Sequence, residues 1–98
     1  MLWESYVISL QEKKTISFRP RGNSMSPKIK SGELVTVSPD VGTINKKDIV
    51  FCRVGKKYYV HLVLAVDGER FQIGNNHGGI NGWISKDNVY GKVTKVSK

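Results

Sequence analysis

The sequence predicts a small, mainly β fold with one short helix at its N-terminus. Short runs rich in β-branched and aromatic residues recur along the chain, and turn-forming Gly, Pro, Asn and Asp separate them. Helical spacing is confined to the N-terminal stretch. A chain of 98 residues can bury one modest hydrophobic core, so we expect a single domain over residues 1–98, built as a coiled sheet or small barrel.

The N-terminal stretch has the pattern of a short amphipathic helix. Trp3, Val7 and Leu10 recur at i, i+4 and i+7, which puts them on one helical face, and Lys13-Lys14 marks the predicted end. The β-branched residues in this stretch leave a strand as the alternative.

The rest of the chain is predicted to form strands joined by tight turns. The predicted strands cover 15–18, 34–38, 48–54, 57–66, 70–73 and 89–96. Gly55-Lys56 and Asp67-Gly68 are predicted hairpin turns, and 74–79 is predicted to be a glycine- and asparagine-rich loop. Trp83 and Ile84 open the last section of the chain.

The formal net charge of +8 raises the possibility of a nucleic-acid partner. The basic residues are dispersed, however, and no run of five or more like charges occurs, so a solvated surface is the simpler interpretation. Weak, sequence-independent binding to nucleic acid stays open. Cys52 is the single cysteine, and the chain has no apolar run of the length of a spanning helix, so we expect a soluble, cytoplasmic protein.

A serine in the stretch 19–27 is the first candidate for chemistry. Pro20, Gly22 and Pro27 are turn formers, so the chain bends sharply around Ser24 and presents this residue to solvent. Ser24 could be an ordinary loop serine. It could also be a nucleophile whose own backbone N–H lies where an oxyanion forms.

The predicted strand 57–66 carries the second candidate, His61. Alternation places His61 on the same face as Lys57 and Tyr59. The imidazole could be a structural histidine of the sheet, or it could be the general base that a serine nucleophile requires.

Other chemistries are weakly supported by the sequence. Cys52, His61 and His77 have a spacing that matches no common zinc pattern, and we expect neither a metal nor a cofactor. The 74–79 loop lacks the Lys-Ser/Thr of a phosphate-binding loop. Trp83 and Tyr90 are predicted core or rim aromatics, with base stacking as the alternative.

Six short motifs in order carry a family resemblance: 22–27 (Gly-Asn-Ser-Met-Ser-Pro), 31–37, 47–50, 60–63, 74–76 and 91–93. Over residues 15–96 the sequence resembles the catalytic core shared by type I signal peptidases and LexA-type repressor cleavage domains. The resemblance implies their coiled β fold and a serine endopeptidase activity on a peptide or protein substrate. The spanning anchor, the helix-turn-helix and an Ala-Gly or Cys-Gly dipeptide before Ser24 are not found, so we expect a stand-alone core of phage or mobile-element origin.

The resemblance assigns roles to individual residues. Ser24 takes the place of the nucleophile, and His61 that of the base, which is a lysine in bacterial members and a histidine in eukaryotic and archaeal signal peptidases. Lys57 is the fallback base. Gly22 stands where some members have a side-chain oxyanion donor, so the oxyanion would rest on the backbone N–H of Ser24.

Substrate and support groups are predicted around this pair. We expect the substrate to add as an extended strand beside 16–19, with contacts from Phe18, Arg19 and Met25. The Gly-Asp-Asn motif of the family appears as Gly74-Asn75-Asn76, and a later acidic residue appears as Asn81.

Asparagine can orient an imidazole but supplies no charge, so Asn75, Asn76 or Asn81 is expected to orient His61. The missing carboxylates also keep an alternative open, in which the chain is a weak or inactive homologue that binds peptide or nucleic acid.

Overall fold

The computed structural model describes residues 2–98. Within them lie one α-helix and seven strands: α1 (Leu2–Gln11), β1 (Ile16–Phe18), β2 (Leu34–Ser38), β3 (Ile49–Val54), β4 (Lys57–Asp67), β5 (Arg70–Gly74), β6 (Ile80–Ser85) and β7 (Val89–Ser97). The predicted mainly β fold is confirmed, and the strand alternative for the N-terminal stretch is wrong. No helix among the described residues is long and apolar enough to cross a membrane.

The strands form one antiparallel sheet in the order β1-β2-β7-β3-β4-β5-β6. Strands β3 to β6 follow one another as a meander, whereas β7 returns to lie between β2 and β3. The sheet coils until β6 approaches β3, where a Cβ on Gly82 would lie 3.4 Å from Val54 Cγ1. Coiling gives the sheet two interior surfaces to fill.

Helix α1 closes the first surface. Its apolar face brings Trp3, Tyr6, Val7 and Leu10 onto a core whose fully buried members include Phe51. The second surface lies inside the coil and is filled by residues of β3 to β7, namely Val50, Cys52, Val63, Phe71, Ile73, Ile84 and Val89, together with Ile44. The two cores hold the long strand β4 between them, and β4 carries His61.

Strand β4 has different neighbours along its length. Its first half pairs with β3 from Lys57 to Leu62, while β5 joins the other edge only from Leu62 onward, opposite Gly74. That other edge is therefore free of β5 from Lys57 to His61. The same register brings the loop that follows β5, residues 75–79, close to His61.

Strand β6 was not predicted as a strand. It contains Asn81 and Gly82, which have low β propensity, and Gly82 has a φ of +144°, where side chains are rarely tolerated. Pairing with β5 across a bulge at Ile73/Gly74 nevertheless makes it the edge strand, so a non-local contact overrides the local preference.

Candidate active site

Ser24 lies on a long connection between β1 and β2, the serine loop (residues 19–33). Hydrogen bonds close the base of this loop: the Gly32 N–H donates to the Pro20 carbonyl at 3.0 Å, and Arg19 Nη1 donates to the Gly32 carbonyl at 2.8 Å. These two hydrogen bonds tie the ends of the loop together, so fewer of its residues are unrestrained.

The tip of the serine loop is held by a glycine and by two buried side chains. Gly22 has a φ of +107°, and its N–H donates to Ser31 Oγ at 3.0 Å. Met25 and Ile29 are buried in the first core, and the Ile29 N–H donates to the Met25 carbonyl at 3.0 Å. With its neighbours anchored, Ser24 stays exposed at the turn.

Ser24 meets His61 across this turn. Ser24 Oγ lies 3.1 Å from His61 Nε2, within hydrogen-bond distance. His61 is buried, with 7% of its surface exposed. Burial lowers the pKa of the His61 imidazole below its ordinary value of 6.5, and the hydrogen bond that the ring donates to Asn81 acts in the opposite direction. A lowered pKa keeps the ring neutral, and so able to accept a proton, at neutral pH.

Asn81 on β6 contacts the other ring nitrogen. Its Oδ1 lies 2.9 Å from His61 Nδ1, and because a carbonyl oxygen can only accept, Nδ1 is the nitrogen that carries the proton. The lone pair of Nε2 then faces the Ser24 hydroxyl, which donates to it. The Tyr59 ring stacks on the imidazole at a centroid distance of 4.6 Å and an interplanar angle of 28°. Ser24, His61 and Asn81 form a hydrogen-bonded line.

Asn75 and Asn76 bind other partners. Asn75 Oδ1 accepts hydrogen bonds from the backbone N–H groups of His77 and Gly79 at 2.8 and 2.9 Å. The Asn76 N–H donates to the Ser24 carbonyl at 2.8 Å, and Asn76 Nδ2 donates to the Ser26 carbonyl at 2.9 Å. These two residues shape and dock the 75–79 loop, whereas Asn81 is the asparagine bonded to the His61 ring.

A cleft of about 310 Å³ opens beside Ser24 and His61. Its lining comes from α1, the serine loop and the free half of β4, and consists of Trp3, Pro20, Arg21, Gly22, Ser24, Met25, Ile29, Tyr58, Tyr59, Val60 and His61. Its size falls in the range of natural ligand sites. Trp3 and Tyr58 were missed as lining residues because they reach the cleft only through tertiary packing, although strand alternation does place Tyr59 beside His61.

The three predicted substrate contacts lie in different places. Met25 lines the cleft. Phe18 is buried in the first core and stacks on Tyr6 at 4.5 Å between ring centroids. Arg19 lies at the base of the serine loop, where its guanidinium donates to the Gly32 carbonyl. The Phe18 side chain is therefore taken up by core packing, whereas Arg19 is exposed and has further guanidinium N–H groups besides the one bonded to Gly32.

Other candidate groups lie apart from this pair. Cys52 is fully buried, and burial raises the pKa of its thiol to about 12. Across residues 2–98 no group of three or more His, Cys, Asp or Glu could hold a metal ion. Lys57 is exposed and lies outside the Ser24 cleft. Tyr90 packs on Phe51, and Trp83 is 42% exposed on β6.

A family model described as Peptidase S24-like matches residues 2–77, well over half of the chain. The chain belongs to the Peptidase S24-like family. The suspected resemblance is thereby confirmed, and the chain is a serine-peptidase-type domain. The Peptidase S24-like match includes Ser24, His61 and the 75–77 segment, while Asn81 lies beyond its end. No curated protein and no solved structure matches the chain significantly.

Proposed function

We propose that this Peptidase S24-like domain hydrolyses peptide bonds, with Ser24 as nucleophile, His61 as general base and Asn81 as the residue that orients the His61 ring. The distance of 3.1 Å between Ser24 Oγ and His61 Nε2 carries the proposal. It lies within the reach expected of a nucleophile and its base, about 2.6–3.2 Å.

The reaction follows from the ring's hydrogen bonds. Ser24 Oγ attacks the carbonyl carbon of the substrate while its proton passes to His61 Nε2, and the oxyanion of the tetrahedral intermediate is held by the Ser24 N–H. The protonated His61 then gives its proton to the leaving amine, which leaves an ester on Ser24. A water molecule then attacks that ester while its proton passes to His61, and His61 returns the proton to Ser24 Oγ as the Oγ–acyl bond breaks and the acid is released.

We propose that the substrate binds as an extended strand beside β1. In the described sheet β1 is an edge strand with β2 as its partner, so its outer edge can take up another strand. The cleft beside Ser24 runs along the free half of β4, where Trp3, Tyr58 and Met25 offer apolar surface to a substrate side chain.

A binding role without efficient catalysis is the alternative. Its support is that Asn81 supplies no charge to stabilise the protonated His61, while the net charge of +8 favours an anionic partner. Such a role uses the same fold but does not depend on the Ser24 hydroxyl.

A serine-directed fluorophosphonate probe separates the two functions. We expect it to label the wild-type chain at Ser24, to fail on Ser24→Ala and to react far more slowly with His61→Gln. Ser85→Ala, which removes an exposed serine from β6, is the matched control and should label like wild type. Wild type left unlabelled, together with salt-sensitive DNA binding that survives Ser24→Ala, would instead support the binding role.

A further inference from the structure

The 75–79 loop docks on the turn that carries Ser24. Besides the two hydrogen bonds of Asn76, the loop contributes a third from a side chain: His77 Nε2 lies 2.9 Å from the Asn23 carbonyl oxygen. His77 and Asn23 are 54 residues apart in sequence, so only the fold brings them together.

The chemistry of this contact fixes the direction of the hydrogen bond. A carbonyl oxygen accepts and cannot donate, so His77 Nε2 carries the hydrogen and donates it to Asn23. Ser26 Oγ lies 3.3 Å from the same nitrogen, and the Ser26 N–H donates to the same carbonyl at 3.2 Å. The Asn23 carbonyl therefore has one donor from its own turn and one from the 75–79 loop.

The Asn23 carbonyl belongs to the same peptide group as the Ser24 N–H. A trans peptide is planar, so its C=O and N–H point in opposite directions and a bond that fixes one fixes the other. The Asn76 N–H holds the next carbonyl, that of Ser24, at 2.8 Å. The 75–79 loop thus holds the peptide groups on both sides of the Ser24 Cα.

We propose that His77 is a positioning residue for the oxyanion site: by donating to the Asn23 carbonyl, it orients the Ser24 N–H toward the reacting carbonyl of the substrate. Donation to the carbonyl also polarises the peptide and strengthens its N–H as a donor. This inference rests on the proposed peptidase function, in which the Ser24 N–H holds the oxyanion.

The side chain of His77 can be tested apart from the loop that carries it. Asn75 Oδ1 closes the loop by accepting from the backbone N–H groups of His77 and Gly79, and these bonds need no imidazole. Asn76 keeps both of its bonds to the turn as well. Replacing the His77 side chain therefore removes the contacts of Nε2 with Asn23 and Ser26 from an otherwise closed loop.

The experiment measures the rate of Ser24 phosphonylation by a fluorophosphonate probe, whose P=O oxygen takes the oxyanion position. Removal of one oxyanion donor slows catalysis by about 10²–10³-fold, so a misaligned donor in His77→Ala should slow labelling by at least about tenfold. His77→Asn, with an amide too short to reach Asn23, should behave alike and serves if the alanine variant does not fold. His77→Gln places an amide N–H near the position of Nε2 and should recover most of the rate.

The pH midpoint of labelling distinguishes an oxyanion effect from an effect on the base. It should be the same in wild type and His77→Ala, since the His61 base is unchanged. Three results would each overturn the inference: a wild-type rate in both His77→Ala and His77→Asn, no recovery of the rate in His77→Gln, or a displaced pH midpoint. In each of these cases Ser24 is still labelled, so the peptidase proposal stands. If wild type is unlabelled or Ser24→Ala is labelled equally, the peptidase proposal fails and the inference fails with it.

Discussion

A neutral side chain, that of Asn81, determines which ring nitrogen of His61 carries the proton. Asn81 Oδ1 accepts from Nδ1 at 2.9 Å and so selects the tautomer that leaves Nε2 free for Ser24. A carboxylate in this position would select the same tautomer and would also stabilise the imidazolium that the proposed attack by Ser24 requires. The geometry of a triad is therefore present at this residue, but the negative charge is not, and burial of His61 disfavours its cation further.

Changing the charge at position 81 should move the pH dependence of Ser24 labelling in a predictable direction. His61 must be neutral to act as a base, so the labelling rate falls as pH drops through its pKa, with a midpoint below 6.5 in wild type. Asn81→Asp should raise that midpoint, because a carboxylate favours the imidazolium, and Asn81→Ala should lower it, because the hydrogen bond that raises the pKa is lost.

The same series predicts rates at neutral pH. Asn81→Asp should accelerate labelling by about tenfold, equivalent to about 1.4 kcal/mol, a modest figure because the side chain at position 81 is exposed and solvent screens its charge. Asn81→Ala should be slower than wild type because the ring loses its orienting acceptor. Midpoints that move together in both variants, or not at all, would contradict an Asn81 contact with the His61 ring.

At the scale of the elements, the local sequence pattern predicted most of the sheet. It could not predict which of the three asparagines contacts the His61 ring. β2 lies where the β-branched run predicts it, from Leu34 to Ser38, because its preference and its burial agree. Asn81 reaches His61 through the pairing of β5 with β6, whereas Asn75 bonds within its own loop and Asn76 bonds to the serine loop. That distinction depends on the register of an edge strand that contains Gly82 and that local propensity does not predict.

The contact of His77 with Asn23 could not be predicted from the sequence for a similar reason. Nothing in either segment marks it, since a glycine-rich loop with a histidine is compatible with many roles. The contact exists because β5 ends opposite Leu62, next to His61, which delivers the 75–79 loop to the serine turn. Motif order could suggest that the segments share a site, but only the strand register decides which atoms meet.

Two buried glycines allow the docking of the 75–79 loop to be tested as an element. A Cβ at Gly74 would collide with the Gly79 carbonyl oxygen and Leu64 Cδ1, so Gly74→Ala should displace the loop and lower both the free energy of unfolding and the rate of Ser24 labelling. A Cβ at Gly91 would meet Val37 Cγ1 at 2.5 Å and the Ser38 carbonyl at 2.8 Å, under α1 and away from the loop.

Gly91→Ala is therefore the matched control for Gly74→Ala. Both variants should lose about 1–3 kcal/mol in urea unfolding, as overpacked sites do. Labelling should slow only in Gly74→Ala when it is measured well below the unfolding transition. Equal labelling rates in the two folded variants would show that the position of the 75–79 loop does not matter to Ser24.

At the scale of the whole molecule, one aromatic cluster connects the helix, the sheet and the cleft. Trp3 of α1 stacks on Phe51 of β3 at 5.5 Å and on Tyr58 of β4 at 6.4 Å between ring centroids, and it meets the edge of Phe18 at 5.7 Å. Trp3 and Tyr58 also line the cleft beside Ser24. The wall of the cleft is thus the outer layer of the first core, so stability and cleft shape depend on the same packing.

Phe51, which is fully buried at the centre of this cluster, gives the most direct test of that dependence. Phe51→Ala should lower the free energy of unfolding by about 3–5 kcal/mol through lost burial and a residual cavity, a large part of the roughly 5–15 kcal/mol typical of a small protein. Trp83→Ala, which truncates a larger ring that is 42% exposed on β6, is the control and should lose much less in the same urea titration followed by circular dichroism.

The Phe51→Ala substitution should also alter the shape of the cleft. With Phe51 removed, Trp3 and Tyr58 lose the ring against which both pack, so the cleft wall loosens even where the chain remains folded. A fluorophosphonate with a long apolar tail depends on that wall, whereas one with a small alkyl group depends mainly on Ser24 and His61. Phe51→Ala should therefore slow labelling by the long probe more than by the small one, and an equal effect on both would show that the aromatic core and the cleft are independent.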